Sequence, residues 1–189
     1  MALKLFLWYE NKLIQKPLIT KSCTAFCTAI LGDILSQYIE KRAHHLGFSA
    51  NYQIERSFKM GLYGFFFSAP LYHNWLGYLY KAIPGRSLLA VAKKVLVDQL
   101  FFSWIAMSSY FIFVTLLMGG SFSQGITKIK NGIVEVWLTG IKVWPFVAII
   151  SFGFLPLHFQ VTFGCITAMF WSTYMSYQVN YKHKHFDLE

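Results

Sequence analysis

The hydrophobic pattern is dominated by one run, Trp144 to Tyr177, which contains no Asp, Glu, Lys or Arg. A charge-free run of this length predicts an element that lies in a bilayer. As one straight helix it would measure ~50 Å, against ~30 Å of hydrocarbon. Pro156 supplies the break. From Pro156 onward the run is long enough to cross once, at ~32 Å. The residues before it, Trp144 to Leu155, become a short segment that lies at the interface or dips partway in. The expectation is a bent entry followed by one span.

The rest of the chain alternates between amphipathic and apolar segments. Residues 2–16 fit an amphipathic helix, with Leu3, Phe6, Leu13 and the Trp8-Tyr9 pair on lipid and Lys4, Lys12 and Lys16 toward headgroups. Pro17 then opens a first span over residues 18–39. In that span Ser22, Ala25, Ala29, Gly32 and Ser36 follow a 3-4-3-4 spacing. Such a stripe lets another helix approach closely, and packing the bundle is its expected role. Asp33 and Gln37 flank it. A polar loop, residues 41–59, leads to a second span over 58–80, where Pro70 should kink the helix. Tyr72, Trp75, Tyr78 and Tyr80 form an aromatic belt toward the far end of that span. Pro84-Gly85 marks a turn, and a third span covers 92–118, ended by Gly119-Gly120. Ser121 to Val143 reads as a second amphipathic stretch: Ile126, Ile129, Ile133, Val136 and Trp137 share a face, with Lys128 and Lys130 away from it. It is expected to lie on the membrane surface. Residues 180–189 form a basic tail.

The predicted fold is therefore all-α: a polytopic membrane protein, one membrane domain over 1–189. It is a bundle of four transmembrane helices at 18–39, 58–80, 92–118 and 156–179, with amphipathic interfacial helices at 2–16, 122–142 and 145–155. Four spans put both termini on one side. Lys and Arg divide too evenly between the two sides to set the orientation.

Composition agrees. Apolar residues make up 56% and charged residues 13%, with 19 Phe; the charged share is about half the globular norm of ~25%. A net charge of +9 could suggest nucleic acid. The basic residues, however, sit at the ends of apolar runs, where they snorkel to anionic headgroups. Membrane lipids, cardiolipin among them, are the expected partners, and nucleic acid is not. Cys23, Cys27 and Cys165 lie inside apolar runs and give no disulfide framework. Met1 to Tyr9 lacks a small-residue cleavage site, so no cleaved signal peptide is expected.

Chemistry, if present, starts from Asp33 and Asp98, the acids inside the spans, since intramembrane ionisable groups are functional candidates by default. Counting from flanking lysines puts Asp98 ~6 Å in and His73 ~12 Å from the same side, so the two could meet; Asp33 is deeper, near ~18 Å. Asp33, Gln37, His73, Asp98, Gln99 and Gln160 are the polar intramembrane positions. They either hold helices together by interhelical hydrogen bonds or line a water-filled path. No catalytic constellation emerges. His44, His45, His73, His158, His183 and His185 lack ligand spacing with acids or cysteines. No phosphate loop follows a strand, and no serine sits in a Gly-x-Ser-x-Gly elbow. No metal, no cofactor and no enzymatic activity are expected.

Taken in order, these residues resemble a known family. Tyr9 and Leu13 lead into Lys16-Pro17-Leu18, Thr20-Lys21 and Thr24, then Gly32-Asp33 with Ser36-Gln37. Pro70, His73 and Trp75 follow, then Asp98-Gln99, Trp144-Pro145, Phe152, Pro156, and finally Trp171 with Tyr174 and Ser176. Across nearly the whole chain the series is similar to the small peroxisomal and mitochondrial membrane proteins of the Mpv17 and 22-kDa peroxisomal membrane protein type. The resemblance implies a four-helix protein of the mitochondrial inner membrane, with the peroxisomal membrane as the second choice. Several members are regarded as weakly selective channels for small solutes or metabolites.

The chain also departs from the family pattern. After Trp-Pro the family usually carries a Gln and an Asn, then an Arg shortly after the Pro, and an Asn after the late Trp. Here those positions hold Ala148, Ser151, Gln160 and Ser172, while Ala69 replaces a Gly and Trp104 a Pro. Two readings follow. One is a channel-like protein passing small solutes or metabolites across the mitochondrial inner membrane. The alternative is a non-conducting structural or accessory subunit, packed against other membrane subunits or a second copy in a larger mitochondrial membrane complex. The loss of polar groups after Trp144 makes that stretch read as much like a greasy docking face as a pore wall.

Overall fold

The computed structural model describes residues 1–43 and 52–186, the last of these (178–186) by backbone alone. His44, His45, the middle of the 41–59 loop and the end of the basic tail lie outside the described residues, as do the His183 and His185 side chains. Among the described residues the chain is helix and turn, with no strand.

Each helix boundary has a local cause. α1 (Ala2–Gln15) stops at Lys16, whose backbone leaves the helical region at φ −134° because a proline follows. Pro17 then opens α2 (Pro17–Ala43), where a missing N–H costs nothing. α3 is continuous through Ile54–Tyr63, Gly64–Ser68 and Ala69–Ala82, and its middle segment is a π-turn. The Ala69 N–H reaches back to the Gly64 carbonyl. That widened turn absorbs the mismatch the sequence places at Pro70, whose ring would otherwise press on the carbonyl four residues back. α4 (Leu88–Leu117) is capped by Ser87 and carries a second π-turn at Asp98–Phe102. It ends at Gly119, which takes φ +83°, a conformation open to glycine. Ser121 and Gln124 form a capping box that starts α5 (Phe122–Gly140). α6 (Trp144–Phe154) begins with Pro145 in its first turn and ends at Leu155, extended ahead of Pro156. α7 (Leu157–Phe186) follows. The break expected at Pro156 is present.

The packing gives the helices their directions. α3 runs against α2: Gly64 lies on Ala25 and Ala29, Gly61 on Phe26 and Ile30, and Arg56 reaches Asp33. α4 runs against α3, with Tyr63 on Tyr110, Tyr72 on Phe102 and Tyr80 at Lys94. α2 and α7 run parallel: Tyr9 bridges Thr24 and Thr162, Gly32 meets Met169 and Ser172, and Ser176 bonds the Ser36 carbonyl. The bundle therefore has an Arg56 end, where α2 finishes, and a Lys94 end, where α2 begins.

Two expectations are corrected here. α5 does not lie apart on a surface. Gly125 packs on Ile112, Trp137 on Trp104, and the Trp137 indole bonds the Gln99 carbonyl, so α5 runs lengthwise down α4. α6 continues toward the Lys94 end, placing Ala148 and Phe152 in the core with Val91 and Val95. The α5–α6 pair, bent by 58°, thus spans the bundle as one broken rod. Because α2 and α7 are parallel, the start of α2 and the end of α7 lie at opposite ends, not on one side.

Among the described residues, 2 helices are long and apolar enough to cross a membrane, α2 over Pro17–Arg42 and α4, or up to 3 if the bent pair is one span. α3 and α7, expected as the second and fourth spans, carry more His, Asn, Gln and hydroxyl residues and fall short of that mark. What the molecule shows is an all-helical protein with apolar helices. Its fully buried core holds Leu76, Leu79, Phe152 and Val161, while Phe66, Phe101, Phe146 and Phe170 face outward, as in a protein solvated by lipid.

Candidate functional site along α2

Asp33, Gln37 and Glu40 recur at spacings of four and three and so share one face of α2. Asp33 is 4% exposed. One of its oxygens lies 2.9 Å from Arg56 Nε, and the other accepts from Gln37 Nε2 at 2.8 Å and from the Ser57 hydroxyl. Arg56 then holds Glu40 through two parallel bonds of 2.8 and 2.9 Å. Gln37 Oε1 accepts the Gln53 N–H at 2.9 Å, at the residue that precedes α3. Ser176 on α7 reaches Glu40 Oε1 at 3.3 Å. One guanidinium thus ties α2, α3 and, through Glu40, α7 together at the Arg56 end.

Sequence reasoning singled out Asp33 and Gln37 but left Arg56 in a loop. The signal was there: three polar residues on one face of an apolar helix need a cation, and Arg56 opens the next apolar run. A cleft of about 390 Å³ lies beside this network, lined by Tyr52, Gln53, Glu55, Arg56, Lys59 and Met118.

Hydroxyls continue the seam toward the other end. Thr24 and Thr162 share the Tyr9 phenol at 2.7 Å each. Between them and the Arg56 network, a Cβ on Gly32 would stand 2.8 Å from Ser172 Oγ. The stripe of small residues therefore packs α2 against α7 and α3, as expected. Nearest the Lys94 end, Lys21 Nζ lies 3.1 Å from His73 Nδ1.

That contact corrects the expected meeting of His73 and Asp98. Asp98 instead accepts the Trp75 indole N–H at 2.8 Å and the Gln99 amide at 3.0 Å. At ~100° per residue, positions 73 and 75 point ~200° apart, so one helix cannot aim both at Asp98. In the π-turn that begins at Asp98, the Gln99 carbonyl accepts from the Ser103 hydroxyl and from Trp137 Nε1. Widened turns of this kind recur at functional sites.

Gln160 stands where the resemblance expects an Arg. It is fully buried, and the two N–H groups of its Nε2 are shared among the Ser151 and Leu155 carbonyls, at 3.0 and 3.1 Å, and the Tyr80 hydroxyl. The end of α6 is thus tied to α3 by a neutral amide, in addition to the Leu155 N–H on the Ser151 carbonyl and Arg86 on the Leu155 carbonyl. Beside it Lys94, also fully buried, donates to the Gly85 carbonyl at 2.8 Å and rests 3.6 Å above the Tyr80 ring. Among the family-motif positions, Pro17, Pro70, Pro145 and Pro156 set helix starts and the α3 π-turn. Thr20 bonds the Lys12 and Lys16 carbonyls, Gly32 sits at the α2–α7 contact, and Trp144 packs on Trp171. Among the described residues no group of His, Cys, Asp or Glu assembles a metal site.

Apolar helices, an outward apolar shell and buried ionic groups between helices define a helical integral membrane protein. Residues 115–176 match the Mpv17 / PMP22 family. The chain is 30% identical to peroxisomal membrane protein 2 of Bos taurus over 168 residues, covering 89% of this chain and 86% of that protein. It is 30% identical to the mitochondrial inner membrane protein Mpv17 of Danio rerio over 177 residues, 92% of this chain and 97% of that protein. A third relative, the mitochondrial inner membrane protein Mpv17 of Caenorhabditis elegans, is 28% identical over 92% of each chain. The chain belongs to the Mpv17/PMP22 family. Its membrane is the mitochondrial inner membrane, as the names of relatives from several species indicate, with a peroxisomal member at the same identity. None of these names is that of an enzyme. No solved structure matches the chain.

Proposed function

We propose that this protein is a channel-like member of its family, passing small solutes or metabolites along the polar seam of α2. In this reading α2, α3, α4, the α5–α6 pair and α7 all cross the bilayer, and the Arg56 network closes one mouth. The observation that carries it is the Asp33–Arg56–Glu40 cluster, with Asp33 buried, on a helix otherwise fit for lipid. Ionic groups at such positions are costly and mark paths for polar cargo. Purified protein in planar bilayers should conduct in discrete steps. Arg56→Gln should lengthen the open time by removing the clamp, and Asp98→Asn should alter ion selectivity. A silent bilayer formed with folded protein would sink this reading.

One observation favours the alternative of a non-conducting accessory subunit. α2 and α7 approach so closely at Gly32 that even a Cβ there would stand 2.8 Å from Ser172 Oγ and 3.2 Å from the Met169 Cα, a contact suited to packing. In that case mild detergent extracts the protein within a larger assembly, and migration as a lone small species on native gels counts against it.

A further inference from the structure

Lys21 is 3% exposed and lies one helical turn inside α2. Its ammonium has three protons to place. Among the described residues only His73 Nδ1, at 3.1 Å, receives one, and no carboxylate lies within ion-pair distance. With the ammonium as donor, His73 Nδ1 accepts, so the neutral imidazole carries its proton on Nε2. That N–H likewise has no partner among the described residues. The pair therefore presents several unused donors and an uncompensated positive charge, an arrangement that is costly in a protein interior unless an anion completes it.

The surroundings supply a way in. Gly77 lies one turn beyond His73 on the same face of α3, and a Cβ built on it meets nothing within 4 Å. This open space lies toward the Lys94 end, where Lys81 and Lys93 mark the headgroup level, and the first turn of α2 adds Leu18, an apolar side chain that is 44% exposed.

We propose that Lys21 and His73 form a binding site for a phosphate oxyanion, supplied in the first place by the headgroup of an anionic phospholipid entering past Gly77. The headgroup phosphate accepts from the ammonium and from His73 Nε2, and an acyl chain lies along Leu18. The site does not depend on whether the protein conducts.

Thermal unfolding of the purified full-length protein in neutral detergent, followed by tryptophan fluorescence, tests it. Cardiolipin or phosphatidylglycerol should raise Tm saturably, and phosphatidylcholine should not. Lys21→Gln should raise the half-saturating lipid concentration about tenfold, as expected for a lost charge-assisted bond. Lys93→Gln, exposed at the same end, should change it by no more than about twofold. Gly77→Leu keeps both donors and fills the open space, so it should weaken the response as Lys21→Gln does, even if the lysine variant fails to fold. A saturable response to inorganic phosphate at similar concentrations, lost in Lys21→Gln, would support the oxyanion site and assign it to a soluble phosphate ligand. No response to any of these anions overturns the proposal, as does an equal response in wild type and Gly77→Leu.

Discussion

Arg56 divides one guanidinium between two carboxylates of unequal burial: the side chain of Asp33 is 3% exposed and that of Glu40 31%. A pair with one buried member is worth most when it is broken, because the remaining charge is stranded. Arg56→Gln should therefore destabilise the protein by about 3–5 kcal/mol. Glu40→Gln leaves Asp33 paired and removes only a half-exposed bond, so it should cost about 1 kcal/mol or less. Denaturant unfolding of the two variants separates these values, and equal losses would show that the Asp33 contact is not the anchor. Asp98 is held differently, by neutral donors. Trp75→Phe keeps the stack on Phe102, whose ring centroid is 4.8 Å away, and removes the N–H to Asp98. A loss of about 1–3 kcal/mol is expected. His73→Gln should leave the Trp75 fluorescence environment unchanged, since His73 faces α2.

Glycines test the packing between elements. A Cβ on Gly64 would stand 2.7 Å from the Ala25 carbonyl oxygen, which is backbone and cannot rotate away. Gly64→Ala should force α3 off α2 and cost about 1–3 kcal/mol. Gly77→Ala, in open space, should be neutral or should stabilise by up to about 1 kcal/mol through helix propensity. Comparing the Tm of the two variants distinguishes a packing glycine from a permissive one.

The same elements show how far the sequence carries. Pro17, Pro156 and the Ser22–Ser36 stripe were legible because proline geometry and side-chain size act locally. The π-turns at Gly64–Ser68 and Asp98–Phe102 were not, since one extra residue in a turn leaves no periodic trace. The apolar face of Ile126 to Trp137 was legible as a face, but nothing local says whether lipid or α4 covers it. Among the candidate site residues, Asp33, Gln37, Asp98, Gln99 and Gln160 are legible in the sequence as polar positions within apolar runs. Their partners Arg56, Trp75 and Tyr80 depend on helix phase and register, which depth counting from flanking lysines does not supply.

At the scale of the whole molecule, the decisive feature is the α5–α6 rod. Were residues 119–155 wholly outside the bundle, Gly119 and Leu155 would lie on one side. Instead Met118 lines the cleft beside Arg56, and the Leu155 carbonyl accepts from Arg86 at the other end. Between the end of α2 and the start of α7 the chain therefore runs the length of the bundle an odd number of times. This predicts opposite sidedness for two turns close in sequence. In a variant with Cys23, Cys27 and Cys165 replaced, single cysteines at Ser121 and at Leu157 should react with a membrane-impermeant maleimide from opposite faces of the inner membrane. Intact mitoplasts should label one, and inverted vesicles the other. A cysteine at Ser87, in the turn between α3 and α4, should follow Leu157, because Arg86 and Leu155 share an end. Labelling of Ser121 and Leu157 from the same face would return α5 and α6 to the membrane surface. It would also remove the broken rod that fixes Gln160 against the end of α6, so the sidedness of these turns bears directly on how the bend at Pro156 is held.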